Sequence, residues 1–235
     1  TIAEFDDDVL DGLARRARDP KTGKTYFVPQ DMDYEQWMES LKIHTKNDKV
    51  KDINLEPIEI TTDSIQRIQP FACDCLDSSE QQALKNAHRR LLMSLAAKPL
   101  GTEASAVYSL DMKKLGEFMG DEAAGRVRIP DVEVPYIGIH NHPTGGTFTH
   151  TDLDLFAQRE NMVMLTAVGN NGTVYAVEKV QTFDLFDFWE FRESVIAKHP
   201  TRLDSPEAYA LFINDLLEKG ESHGIRYYTT AAKKT

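Results

Sequence analysis

An α/β fold, with a central sheet flanked by helices, is what this sequence predicts, and three observations lead to it. Apolar residues recur at helical spacing over 79–97. Short apolar runs bounded by turn residues occur at 102–110, 131–139, 162–168 and 173–177. Two further helical patterns, 183–198 and 205–219, follow the last of them. The order helix, strand, strand, helix, hairpin, helices matches α/β layers and not an all-helical bundle. At 235 residues the chain has room for one large domain with an appendage.

The stretch up to about Lys42 is charged and turn-rich. Asp19-Pro-Lys-Thr-Gly23-Lys24 is a turn signal, followed by Thr25-Tyr-Phe-Val28-Pro29 and a helix-like Tyr34-Glu-Gln-Trp37-Met-Glu-Ser-Leu41. A polar connector at 45–57 sets the expected organisation: an N-terminal appendage and linker (1–57), a core (58–182) and a C-terminal helical extension (183–235). No internal repeat is visible.

In the helix at 79–97, Ser78 or Ser79 is the expected N-cap and Glu80-Gln81-Gln82 fill the first turn. Leu84, Ala87, Leu91 and Leu95 share one face, and Pro99-Leu100-Gly101 ends the element. A strand follows at 102–110. The strand at 131–139 contains Pro135, which cannot donate to a ladder and so belongs at its start or on an edge. After a helix near 152–160, the runs 162–168 and 173–177 flank Gly169-Asn-Asn-Gly172, a hairpin signal. In the closing helices Phe183, Phe186, Trp189, Phe212 and Leu216 are expected to pack on the core, and Ser205-Pro206 suits N-cap and first helical position.

Composition excludes several function classes. A net charge of −11 argues against a nucleic-acid partner, since phosphate binding relies on clustered Lys and Arg. The small basic groups Arg15-Arg16, Arg89-Arg90 and Lys233-Lys234 read as solvated surface. No run approaches the roughly 20 apolar residues of a membrane helix, and the acidic N-terminus is unlike a signal peptide. The first residue is Thr1, so a fragment or processed chain is expected. Cys73 and Cys75 form a lone Cys-x-Cys, read as two reduced thiols and consistent with a reducing cytoplasm. Neither a glycine-rich phosphate loop nor a serine or cysteine nucleophile motif is present.

The chemistry concentrates in Ile137-Gly-Ile-His140-Asn-His142-Pro143, followed by Thr144-Gly-Gly-Thr-Phe148-Thr149-His-Thr-Asp152. Residues i and i+2 of a strand share a face, so His140 and His142 can aim at one ion. Pro143 stops the strand, and Gly145-Gly146 lets the chain bend back. A carboxylate from the next element then completes a three-ligand zinc site with one open position. Asp152 is the expected third ligand, with Asp154 as the alternative. Thr149 to Asp152 also has capping-box spacing, and the two roles are compatible. A catalytic zinc needs a base as well. Glu103, a carboxylate entering a small, apolar strand, is the candidate, and Glu133 is the runner-up.

Glu103, His140-Asn-His142-Pro143, Thr149 and Asp152 resemble the signature of the JAMM/MPN+ metalloproteases: an upstream Glu, then His-x-His-Pro, then Ser-x-x-Asp. That family includes deubiquitinating isopeptidases, bacterial RadC-like proteins and phage-encoded relatives. The resemblance covers roughly residues 79–180. It implies a mixed sheet with JAMM/MPN-like, cytidine-deaminase-like layering in the 58–182 core. It also implies zinc held by His140, His142 and Asp152, with Glu103 as general acid/base and Thr149 stabilising the oxyanion. The spacer from His142 to Thr149 is one residue shorter than the family's, and Thr replaces Ser; moved two residues on, Thr151 and Asp154 take those roles. Residues 19–29 with Tyr34-Glu-Gln-Trp37 are similar to segments of bacteriophage minor head proteins, implying a prophage origin and head-protein partners. The resulting expectation is a zinc hydrolase cleaving a peptide or isopeptide bond of a protein substrate, in the host cytoplasm or on the virion. The alternative is a catalytically silent assembly module.

Overall fold

The computed structural model describes residues 14–18, 25–29, 33, 35–36, 56–120 and 128–231. The turn expected at 19–24, most of the helix-like segment at 34–41 and the connector at 45–55 lie outside them. The chain divides into two units, Thr1–Asp52 and Ile53–Thr235. In the first, β1 (Ala14–Arg18) pairs antiparallel with β2 (Thr25–Pro29), Arg16 opposite Phe27.

The second unit runs α1 (Thr62–Arg67), α2 (Ser78–Leu95), β3 (Ala104–Ser109), β4 (Lys114–Met119), β5 (Tyr136–His142), α3 (His150–Gln158), β6 (Met162–Gly169) and β7 (Val174–Lys179). It continues with α4 (Leu185–Lys198), α5 (Pro206–Lys219), a 3₁₀ turn (Gly220–His223) and β8 (Ile225–Thr229). The strands form one six-stranded mixed sheet in the order β4-β3-β5-β6-β7-β8. Only β5 and β6 pair in parallel, and α3 supplies the crossover that a parallel pair needs. β5 begins directly after Pro135, where the missing N–H interrupts no ladder bond. The expected hairpin joins β6 and β7, with Val168 opposite Val174.

Helices cover both faces of the sheet. On one, Ile137 and Ile139 of β5 pack with Leu84, Leu91 and Leu92 of α2. On the other, Tyr136 packs with Phe156 of α3, Phe188 of α4 and Phe212 and Leu216 of α5. Burial on both faces explains why the β5 sequence reads as a nearly continuous apolar run and not as an alternation.

Several expectations change. Asp77, not Ser78 or Ser79, caps α2: its Oδ1 accepts from the Ser79 and Glu80 amides at 2.7 and 2.9 Å, and Glu80 returns the bond to the Asp77 amide at 2.7 Å. The stretch expected as a helical extension also supplies a sheet strand, β8, with Arg226 opposite Glu178. Gly224 makes the entry to β8 possible, since its φ is +77° and a Cβ there would meet Phe183 Cα at 2.3 Å. The edge strand β4 is mostly exposed, so it carries no apolar pattern to read. Cys73 and Cys75 are both free thiols. No described helix is long and apolar enough to cross a membrane.

One polar residue sits on the buried face of α2. His88 Nε2 lies 2.7 Å from Thr166 Oγ1 of β6, and burial, with a smaller push from His140, lowers its pKa to about 3. An unfolded histidine titrates near about 6.5, so between these pH values the unfolded chain binds the extra proton. Stability therefore rises with pH across this window and is lost as pH falls from about 6.5 toward 3. In urea unfolding from pH 6.5 to 4.5, His88→Gln should flatten the pH slope by up to about 1.4 kcal/mol per pH unit. An unchanged slope would show that His88 does not contribute this dependence.

Candidate metal centre

The centre is built where β5 ends. His140 and His142 lie on the sheet face that α3 covers, and Asn141 points to the other. The Asn141 side chain is fully used. Its Oδ1 accepts from the Ala104 amide at 2.7 Å, and its Nδ2 donates to the Thr102 carbonyl at 3.1 Å and to Asn170 Oδ1 at 3.2 Å. Asn141 thereby ties the start of β3, where Glu103 sits, to the end of β5. Strand alternation turns Asn141 away from the two histidines, and nothing in the sequence marks this bracing role.

After Pro143 the chain reverses sharply. The Gly145 amide donates to the His142 carbonyl at 3.0 Å, and Gly145 has φ +74°. A Cβ at Gly145 would come within 2.7 Å of Asn171 Nδ2. The turn brings the Gly146 carbonyl to 3.1 Å from His142 Nδ1. Donation there requires the proton on Nδ1, which leaves the Nε2 lone pair facing the site, the arrangement seen in metal-ligating histidines.

Asp152 arrives on the first turn of α3. Thr149 caps the helix: its Oγ1 accepts from the Asp152 amide at 3.3 Å, and Asp152 Oδ2 accepts from the Thr149 amide at 2.7 Å. The Thr149 hydroxyl also donates to Asp152 Oδ2 at 2.8 Å. The same carboxylate faces both imidazoles, with Oδ1 at 3.6 Å from His140 Nε2 and Oδ2 at 3.5 Å from His142 Nε2. The two Nε2 atoms are 2.8 Å apart. Cap and cluster roles coexist in one carboxylate.

These donors fit a divalent cation. Ligands bonded at about 2.0–2.2 Å around a tetrahedral centre lie roughly 3.3–3.6 Å apart, which matches the two carboxylate–imidazole spacings, whereas the Nε2 pair at 2.8 Å has to open by about 0.5 Å to admit an ion. Two imidazole nitrogens and one carboxylate oxygen lie within 4.8 Å of one another, and this is the only such cluster among the described residues. His140 Nδ1 is buried beside the Thr166 backbone, outside hydrogen-bond geometry.

Burial is the largest single influence on each of the three groups, and it decides the outcome only at His140. Together with the neighbouring His142, it pushes His140 down to about 4, against the pull of Asp152. Burial would lower His142 as well, but Asp152 and the Gly146 carbonyl reverse the balance and raise it, with a smaller push from Glu103. Burial would raise the Asp152 carboxyl, yet His142, His140 and the Thr149 amide outweigh it and hold it well below the ordinary carboxylate range. One imidazole is thus kept neutral beside an ionised carboxylate, the protonation that ligation requires.

Glu103 joins from the neighbouring strand. Ser105 is opposite His140, so the register carries Glu103 opposite His142 and onto the same face. Its carbonyl accepts from the Gly120 amide at 2.8 Å. Glu133 is exposed and precedes β5, at the far end of that strand from His142. Asp154, the alternative ligand, is committed elsewhere: it is buried and takes Arg192 Nε and a terminal guanidinium nitrogen at 2.8 and 3.0 Å. Helical periodicity turns residues two apart to different sides, and so only Asp152 meets the histidines.

No protein-family model matches the chain, and neither a curated protein nor a solved structure matches it significantly.

The two aspartates should separate cleanly on substitution. Asp152→Asn should remove bound metal measured by elemental analysis. Asp154→Asn should retain the metal and lower stability by about 3–5 kcal/mol in denaturant unfolding, because it leaves the buried Arg192 guanidinium with only the exposed Glu193 as a charged partner. Metal lost from Asp154→Asn but not from Asp152→Asn would reverse the assignment.

Proposed function

We propose that this chain is a zinc-dependent hydrolase that cleaves a peptide or isopeptide bond with metal-activated water. The observation that carries it is the convergence of His140, His142 and Asp152, with Glu103 on the same face one strand away. His140, His142 and Asp152 would hold a zinc ion, with both imidazoles neutral once it is bound, and would leave it a net positive charge. When bound, it lowers the pKa of water and polarises the scissile carbonyl. Zinc is favoured over harder cations because two of the three donors are imidazoles.

The chain's own residues perform the proton transfers. The Glu103 carboxylate takes a proton from the attacking water and returns it to the leaving nitrogen. Asp152, braced by Thr149, keeps its charge beside the histidines. The Gly146 carbonyl holds His142 in the tautomer that ligation needs. Phe148 packs behind both imidazoles, its ring centroid 6.3 and 6.5 Å from theirs, and shields that side of the site from water. The resemblance to JAMM/MPN+ enzymes in type and order of these residues supports this reading. The resemblance of residues 19–29 to phage minor head proteins favours a prophage setting, with head proteins among the substrates or partners.

One observation favours the alternative, a silent assembly module of a phage head. The Thr149 hydroxyl proton is directed at Asp152 Oδ2. To stabilise an oxyanion it must turn away from its own cap.

Elemental analysis separates the two readings. Protein purified without chelator should carry one zinc per chain, and His142→Ala should carry none. Glu103→Gln should keep the zinc but slow hydrolysis of peptide and ubiquitin-like isopeptide substrates by about 10²–10⁴-fold. Full activity in Glu103→Gln would rule it out as the base, and wild-type protein without zinc would end the hydrolase reading.

A further inference from the structure

We propose that Tyr209 of α5 is a positioning residue of the metal centre, holding the first turn of α3 and therefore Asp152 through a two-point grip on His150. The proposal rests on the metal-centre reading and is independent of whether hydrolysis follows.

The first turn of a helix has amides with no internal partner. In α3 that turn also carries Asp152, so its placement sets the distance from carboxylate to imidazoles. Thr149 Oγ1 satisfies the Asp152 amide from within. The His150 amide is satisfied from outside the helix, donating to the Tyr209 phenol oxygen at 2.9 Å. That oxygen also lies 2.8 Å from His150 Nδ1, where the phenol proton is donated to the ring. One hydroxyl thus accepts from the backbone and donates to the side chain of a single buried residue. This pairing resists both sliding and rotation of the helix start, which a single bond would not.

The grip is anchored on a rigid base. Tyr209 lies three residues before Phe212, with ring centroids 6.0 Å apart. Phe212, Ile213, Leu216 and Leu217 bury α5 in the core on that side of the sheet. The contact spans 59 residues of sequence, so it joins the closing helices to the metal ligands. Ligand carboxylates tolerate little displacement, because supporting groups around a metal site set its affinity.

Tyr209→Phe keeps the ring and deletes the hydroxyl. The expected result is a zinc dissociation constant raised by about 10–100-fold in competition with a chromophoric chelator. The visible spectrum of the cobalt-substituted protein should change as well, while circular dichroism stays native. Tyr228→Phe, which deletes a phenol bonded to Glu178 on the opposite face of the sheet, should leave both metal readouts unchanged. Should Tyr209→Phe fail to fold, His150→Leu keeps the amide donor, removes the ring acceptor, and is expected to weaken zinc by a smaller factor. Wild-type affinity and cobalt spectrum in a folded Tyr209→Phe would overturn the proposal alone. So would equal weakening by Tyr228→Phe, which would mark a general loss of stability. Failure of the wild-type protein to bind zinc would overturn the metal centre and this assignment together.

Discussion

The arrangement depends on one constraint: a strand buried on both faces that ends in three polar side chains. His140 and Asn141 are almost fully shielded from water, and a buried polar group without a partner costs about 1–3 kcal/mol. Asn141 meets that demand on one face by bonding to β3 and to the β6–β7 turn. On the other face the imidazoles turn toward a carboxylate from the next helix. The parallel β5–β6 pairing makes this possible, because its crossover must start at the end of β5 and places the N-terminus of α3 beside the histidines.

Asp152 shows how local and tertiary forces reinforce each other. As the third residue of α3 it completes a capping box and meets the positive end of the helix dipole, which favours its ionised form. That same charge faces the buried His140 and the largely buried His142. Two residues on, Asp154 solves a different problem, the burial of Arg192 against α3. The two carboxylates are nearly interchangeable in sequence and entirely distinct in the fold. A bidentate guanidinium satisfies one, and histidine nitrogens surround the other.

Much of the sheet was legible because its signals are local. β5, β6 and β7 are apolar runs bounded by Pro135, Pro143 and Gly169-Asn-Asn-Gly172, and α5 opens with Ser205-Pro206 as its sequence suggests. β4 escaped because an exposed edge strand needs no apolar alternation. β8 escaped because five residues are too few to show a period and its pairing with β7 is remote in sequence. The Asp77 cap went unread because three successive residues, Asp77, Ser78 and Ser79, can all cap a helix. The backbone entry angle decides among them.

By itself the sequence determined the strand that aims His140 and His142 at one point, the turn residues that follow it, and a carboxylate at the right helical position. These depend on periodicity and backbone restriction, which neighbouring residues settle among themselves. The tertiary structure alone decided that Asp152 and not Asp154 faces the histidines, that Glu103 stands opposite His142, and that Tyr209 grips α3. Each of those rests on which distant segment lies alongside, and only the burial of the whole sheet between its helices settles that.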